Sequence, residues 1–377
     1  MSKNVIQPVT PASSDVTPEK TEHLKGIAFL LLMWHHLFGV GYVSGWRSVI
    51  PGMEDITYIA GQAGKIGLAL FLFCSGYGLY KTYISKESAV RGFVLKRLAK
   101  TLIPYWIVMI IAIIYLACAG KFKPEYLFMN LFAFIHSDSN LYVSFSWFIK
   151  LYILLILILP LIRLIERKWK KNPVIDILIY IAVPFGIAVC FAKFMHEAWF
   201  TDIPSFLLSS LLFLLSWFPL FAVGMLFAKY GFYQKIRKIT DKIPGILVAL
   251  LSSVVICIVL FARYLVYEAL YPSHIFENVM LDFLFGPVIV TAFLLMIDNM
   301  KSKSRFAIPF IGRNSIYYWL LSGMFFLNTS ELQFIIKWPK VSVLIFLWTV
   351  LVLTPAVYLV SLISNSLIKL ADRKKKT

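Results

Sequence analysis

The sequence predicts an all-α polytopic membrane protein, a bundle of about ten transmembrane helices with both termini in the cytoplasm. Three observations carry this expectation. First, 60% of the residues are hydrophobic and only 15% charged, with a mean hydropathy of +0.79; that is too little charge to cover an ordinary globular surface. Second, ten apolar runs approach the roughly 20 residues that a helix needs to cross a hydrocarbon core about 30 Å thick. Third, lysine and arginine crowd alternate loops, as the positive-inside bias requires of a chain with an even number of spans.

In chain order the runs lie near residues 24–42, 59–80, 102–119, 143–163, 174–194, 205–227, 244–263, 278–298, 306–327 and 341–368. The basic loops follow the second span (Lys81, Lys86, Arg91, Lys96, Arg97, Lys100), the fourth (Arg163, Arg167, Lys168, Lys170, Lys171) and the sixth (Lys229, Lys235, Arg237, Lys238, Lys242). Lys301, Lys303 and Arg305 follow the eighth, and Arg373 to Lys376 close the chain. The net charge of +18 is therefore distributed for topology, and nucleic acid is not an expected partner.

Residues 1–20, rich in Pro, Ser, Thr and Val, read as a disordered cytoplasmic tail with no cleavable signal. Residues 21–370 form one membrane domain, and 371–377 a basic cytoplasmic tail. Cys74, Cys118, Cys190 and Cys257 stand singly in apolar runs, with the spacing of neither a disulfide framework nor a metal site.

Ionisable side chains within spans are costly and mark candidate sites. Lys25 and His36 lie eleven residues apart, close to three turns, so a regular helix places them on one face about 16 Å apart along its axis. His35 points about 80° away, at 3.6 residues per turn. Lys25 reads equally as a topology-setting residue that snorkels to the interface. The adjacent histidines are suited to giving or taking a proton near neutral pH. Lys65 and Lys150, inside the outer ends of spans two and four, either snorkel outward or line an outward vestibule with Gln62 and Trp147, and Asp282 and Glu277 are candidate partners for them. Arg97 and Lys100, at i and i+3, project together from the segment before span three. That pair suits anionic lipid headgroups or a phosphorylated cofactor equally well.

Five segments in order bear a resemblance to the membrane acyltransferase family 3. They are Lys25 with His36, Phe73-Cys74-Ser75-Gly76-Tyr77-Gly78, Arg97-Leu98-Ala99-Lys100 before Pro104, Ser146-Trp147-Phe148, and Phe310 to Leu320 with its Gly-Arg-Asn-Ser-Ile-Tyr-Tyr core. The similarity runs from about residue 21 to 370. The basic pair is Arg-Lys where the family often has two arginines, and Ser322 stands where many members carry a second histidine. The expected form is the stand-alone one, without an appended extracytoplasmic esterase-like domain.

The resemblance implies an acetyl-CoA-dependent membrane O-acyltransferase of the bacterial inner or plasma membrane. An acyl group, usually acetyl, would pass from cytosolic acyl-CoA to a hydroxyl of an extracytoplasmic or lipid-linked glycan. His36, with His35 as its neighbour, would be catalytic. Lys25, Arg97, Lys100 and Ser75 would bind the donor, and Lys65, Trp147 and Lys150 would line the acceptor vestibule. Asn314 is a further candidate beside the thioester. Acyl-CoA is donor substrate, with no permanently bound cofactor or metal expected; the other partners are the glycan, membrane lipids and, left open, further copies of the chain. The rival class is a transporter or flippase of a lipid-linked sugar, which the composition accommodates equally. Acyl-CoA-dependent modification of a polysaccharide distinguishes the two.

Overall fold

The computed structural model describes residues 15–41, 43–86, 92–134, 141–143, 145–168, 172–194, 205–270, 281–299, 306–326 and 332–373. Within them the chain is a helical bundle, and the isolated bridge between Arg47 and Val341 is its nearest approach to β-structure. Residues 1–14 of the expected N-terminal tail, the C-terminal tail beyond 373, Glu277, Arg91, Lys170, Lys171 and the 301–305 basic cluster lie outside the described residues.

The first helix, α1 (Pro18–Trp34), starts earlier than the 24–42 run and inside the segment read as a tail. Thr17 caps it through its hydroxyl, which accepts from the Lys20 amide at 3.3 Å, and Pro18 occupies a first-turn position where a missing N–H costs nothing. A π-helical turn, His35–Gly39, replaces the expected regular continuation. It is closed by the Val40 amide donating to the His35 carbonyl at 2.8 Å, and such single wide turns are frequent at functional sites.

The second run is split into α2 (Glu54–Gly64) and α3 (Gly67–Leu79), with Lys65 at the junction. Then come α4 (Phe93–Cys118), the short α5 (Leu127–Leu131) and α6 (Trp147–Lys168). The next run is α7 (Pro173–Ile177) and α8 (Val183–Phe194), joined by a π-helical turn at Leu178–Ala182. The remainder is α9 (Ser205–Tyr230), α10 (Phe232–Thr240), α11 (Gly245–Leu270), α12 (Asp282–Asn299), α13 (Ala307–Arg313), α14 (Ser315–Phe326), α15 (Gln333–Lys337) and α16 (Ser342–Arg373).

Among the described residues eight helices are long and apolar enough to cross a membrane, compared with ten expected. The first and ninth runs fall short for local reasons. The first carries Glu19, Lys20, Glu22 and Lys25 in its opening turns and ends in the π-helical turn. The ninth is broken at Asn314 between α13 and α14.

Lipid offers little drive for apolar helices to associate, so close packing must do it. Glycines supply the contact. A Cβ at Gly76 would collide with the Phe221 carbonyl and one at Gly224 with the Phe73 carbonyl, which presses α3 onto α9. Gly39 and Gly61 meet in the same manner, locking the π-helical turn against α2. The opposite behaviour appears in α11, where Leu250, Val254, Ile258, Phe261 and Leu265 form one exposed apolar stripe facing lipid.

One end of the bundle gathers the basic loops. Lys20 of α1 pairs with Asp298 of α12 at 2.7 Å. Lys229 of α9 bridges Glu166 of α6 at 2.8 Å and Asp176 of α7 at 2.6 Å. Arg163 donates to the Lys86 carbonyl at 2.8 Å. With Arg237, after span six, also pairing with Asp298 at 3.5 Å, these links place the loops after spans two, four and six and the start of α1 at a common basic end.

Candidate active site

A cavity of about 350 Å³ opens at the basic end, bounded by α1, α3, α4, α6, α13 and α14. It contains all four residues expected to bind the donor: Lys25, Ser75, Arg97 and Lys100. They are brought together from three separate helices. Glu22 and Arg313 also line it and pair at 3.1 Å. Its charged lining is thus Lys25, Arg97, Lys100 and Arg313 with the single carboxylate Glu22 among the described residues, an excess suited to phosphate.

The direction of each helix orders this lining by depth. Glu22, Lys25, Arg97, Lys100 and Arg313 lie toward the helix ends that form the basic end, while Phe71, Phe148 and Trp319 are a turn or more deeper. Ser75 donates its hydroxyl to the Phe71 carbonyl at 2.9 Å within α3. Its neighbour Gly76 serves the α3–α9 contact rather than a ligand. Asn314 caps α13 and donates to the Phe310 carbonyl at 2.9 Å.

A second cavity, about 370 Å³, lies between α9, α10, α11 and α12. Among the described residues no charged side chain lines it, so it has nothing to hold a phosphate or move a proton.

His36 stands directly behind the deep end of the charged cavity. Its ring stacks on Phe145 at 4.1 Å between centroids and meets Trp319 edge-on at 6.0 Å. Trp319 lines the cavity and His36 does not. The indole is fixed: its Nε1–H donates to the Phe145 carbonyl at 3.1 Å. Phe145 itself has φ +66°, a left-handed conformation that a bulky side chain adopts only when its surroundings enforce it. The loop into α6 is therefore bent to place this ring on His36.

His35 faces another way, as expected, and is buried. Its Nδ1 bonds the Gly61 carbonyl at 2.9 Å. Gln62 donates to the Gly39 carbonyl at 2.7 Å, and Arg263 to the Gln62 carbonyl at 3.4 Å. Arg263 also grips Asp282 through two bonds of 2.7 and 3.1 Å, with Tyr267 adding a third at 3.2 Å. Asp282, offered as a partner for Lys65 or Lys150, thus has Arg263 as its bonded partner, and Lys65 lies within electrostatic reach of both. Trp147 and Lys150 fall in an aromatic cluster. Trp147 packs near Trp217 at 5.7 Å and Trp319 at 6.1 Å, and the Lys150 ammonium lies 5.4 Å from the Phe213 ring centroid.

A family model described as an acyltransferase domain, Acyl_transf_3, matches residues 21–365. The chain belongs to the acyltransferase family 3. No curated protein and no solved structure matches it. As a member of this acyltransferase family, with several membrane-length apolar helices, the chain is a multi-pass membrane acyltransferase.

Sequence reading of this acyltransferase overlooked Arg313, Trp319, Phe145 and Arg263. For Arg263 the signal was present, since an arginine in an apolar run calls for a nearby carboxylate. Arg313 and Trp319 sat in a segment noted for its resemblance alone. Nothing local to Phe145 announces its left-handed backbone.

Proposed function

We propose that this acyltransferase takes an acetyl group from acetyl-CoA on the cytoplasmic side of a bacterial cell membrane and delivers it to a glycan hydroxyl on the outer side. The basic end faces the cytosol in this reading, as the positive-inside bias favours, with ten helical passes and both termini inside. The observation that supports it most is the cavity itself: a cationic mouth grades into an aromatic inner end, and His36 lies one ring beyond. Lys25, Arg97, Lys100 and Arg313 hold the phosphates of CoA, the arginines through planar forks. The pantetheine arm runs inward and brings the thioester to the edge of Trp319.

His36 accepts the proton of the incoming hydroxyl as its oxygen attacks the thioester carbonyl carbon. The new C–O bond forms, the C–S bond breaks, and the proton passes to the departing thiolate. His35, bonded to Gly61, positions the π-helical turn rather than the substrate. Trp147, packed on Trp319, and Lys150, beside Phe213, receive the acceptor.

Membranes containing the protein, incubated with acetyl-CoA labelled in the acetyl group, are expected to transfer alkali-labile label to the glycan fraction. Label that stays in acetyl-CoA while glycan is present and the protein is folded overturns the proposal.

A further inference from the structure

The inner end of the donor cavity is closed by three aromatic rings. Phe71 and Phe148 lie 6.2 Å apart between centroids, and Trp319 lies 6.0 Å from the first and 5.4 Å from the second. Each belongs to a different helix, and all three line the cavity. Of the three, Trp319 alone both touches His36 and is tied to the backbone, by its Nε1–H bond to Phe145. A wall held by a hydrogen bond and backed by His36, Phe145 and Trp147 does not yield to one more methylene, because interiors are close-packed and strain is costly.

We propose that Trp319 is the specificity-determining end wall of the acyl pocket, restricting the donor to a two- or three-carbon acyl group. This rests on the reading of the cavity as the acyl-CoA site. A thioester lying in the cavity with its carbonyl at the edge of Trp319 puts its acyl tail against the indole. Discrimination of one methylene in an apolar pocket amounts to about 10- to 200-fold, so the wall excludes butyryl and longer chains. Nothing in the cationic mouth senses the chain, so the phosphate contacts are made apart from the wall at Trp319.

The test compares full-length detergent-purified protein with Trp319→Ala and Trp319→Phe in competition binding against labelled acetyl-CoA, using CoA, propionyl-CoA, butyryl-CoA and hexanoyl-CoA. The wild type should bind hexanoyl-CoA at least 10-fold more weakly than acetyl-CoA. Trp319→Ala should bring the two within about threefold, below the roughly 10-fold that one methylene commands against a closed wall. Trp319→Phe keeps an aromatic ring in place and loses the indole anchor, so it should shift the cut-off by one or two carbons and serves if the alanine variant is poorly folded. An unchanged chain-length order in folded variants that still bind CoA overturns the role of Trp319 alone. A wild-type protein that binds none of these thioesters, nor CoA, overturns the cavity assignment and this inference together.

Discussion

The two ends of α1 treat charge in opposite ways. At the far end, Arg263 and Asp282 are buried and bonded to each other through two contacts, with Tyr267 and the Gln62 carbonyl closing the remaining sides. At the basic end, Lys25, Arg97, Lys100 and Arg313 line a cavity whose one carboxylate among the described residues, Glu22, pairs with Arg313. The first pattern neutralises charge within the protein, and in the proposed reading the second holds the phosphates of the donor. An ionisable residue in an apolar run therefore has two meanings, and only the identity of its neighbours separates them.

The contrast is broken most sharply at Arg263. Arg263→Ala leaves Asp282 buried without its counter-charge and is expected to cost about 3–5 kcal/mol, read as a fall in thermal midpoint in detergent. Replacing both partners by leucine should recover most of that loss. The cavity cations should behave otherwise, with Arg97→Ala and Lys100→Ala leaving the midpoint nearly unchanged. An equal loss at both ends would erase the distinction.

Next in size is His36→Ala, expected to lower acyl transfer by about 100-fold or more while abundance in the membrane stays near wild type. His35→Ala should be milder in transfer, since its Nδ1 is engaged with Gly61. Full activity of the His36 variant in the label-transfer assay removes that residue from the chemistry.

A smaller effect is expected at the mouth. The double variant Arg97→Ala, Lys100→Ala should raise the KM for acetyl-CoA about 10-fold, as loss of charge-assisted phosphate contacts implies, with kcat less affected and the wild-type KM rising with salt. Unchanged CoA binding would return the pair to a lipid-anchoring role.

The smallest effect concerns Asp15, outside the spans. Burial pushes its carboxyl up, but hydrogen bonds from Tyr77 and Lys81 outweigh this and hold it below the ordinary carboxylate value. A depressed folded-state pKa gives stability that is present above the unfolded value and lost as pH falls through the folded one. Residues 15–17 should accordingly undock from α3 in acid below about pH 4, seen as faster amide exchange at the start of α1. Asp15→Asn should show that exchange already at neutral pH.

Much of this was legible before any coordinates. The apolar runs correspond to helices because lipid forces backbone polar groups to be satisfied within each segment. Lys25, Ser75, Arg97 and Lys100 line one cavity, although the sequence separates them by up to 75 residues. The i, i+3 spacing of the basic pair was enough to predict that it projects together. The start of α1 at Pro18 was missed because a polar leader and a capped helix start share the same residue types. The partnership of Asp282 with Arg263 was missed because charges on neighbouring spans can pair in many registers.

By itself the sequence determined a membrane-embedded helical chain, the clustering of cations in alternate loops and the projection of Arg97 and Lys100 to one side of their helix. These follow from composition and period, which act along the chain. Only the tertiary structure decided that α1 widens into a π-helical turn at His35–Gly39, that Phe145 turns left-handed to stack on His36, and that Trp319 stands between His36 and the cavity. Those outcomes depend on how closely helices approach, as at Gly39 against Gly61, and packing distances across a bundle are not encoded in any one segment's pattern.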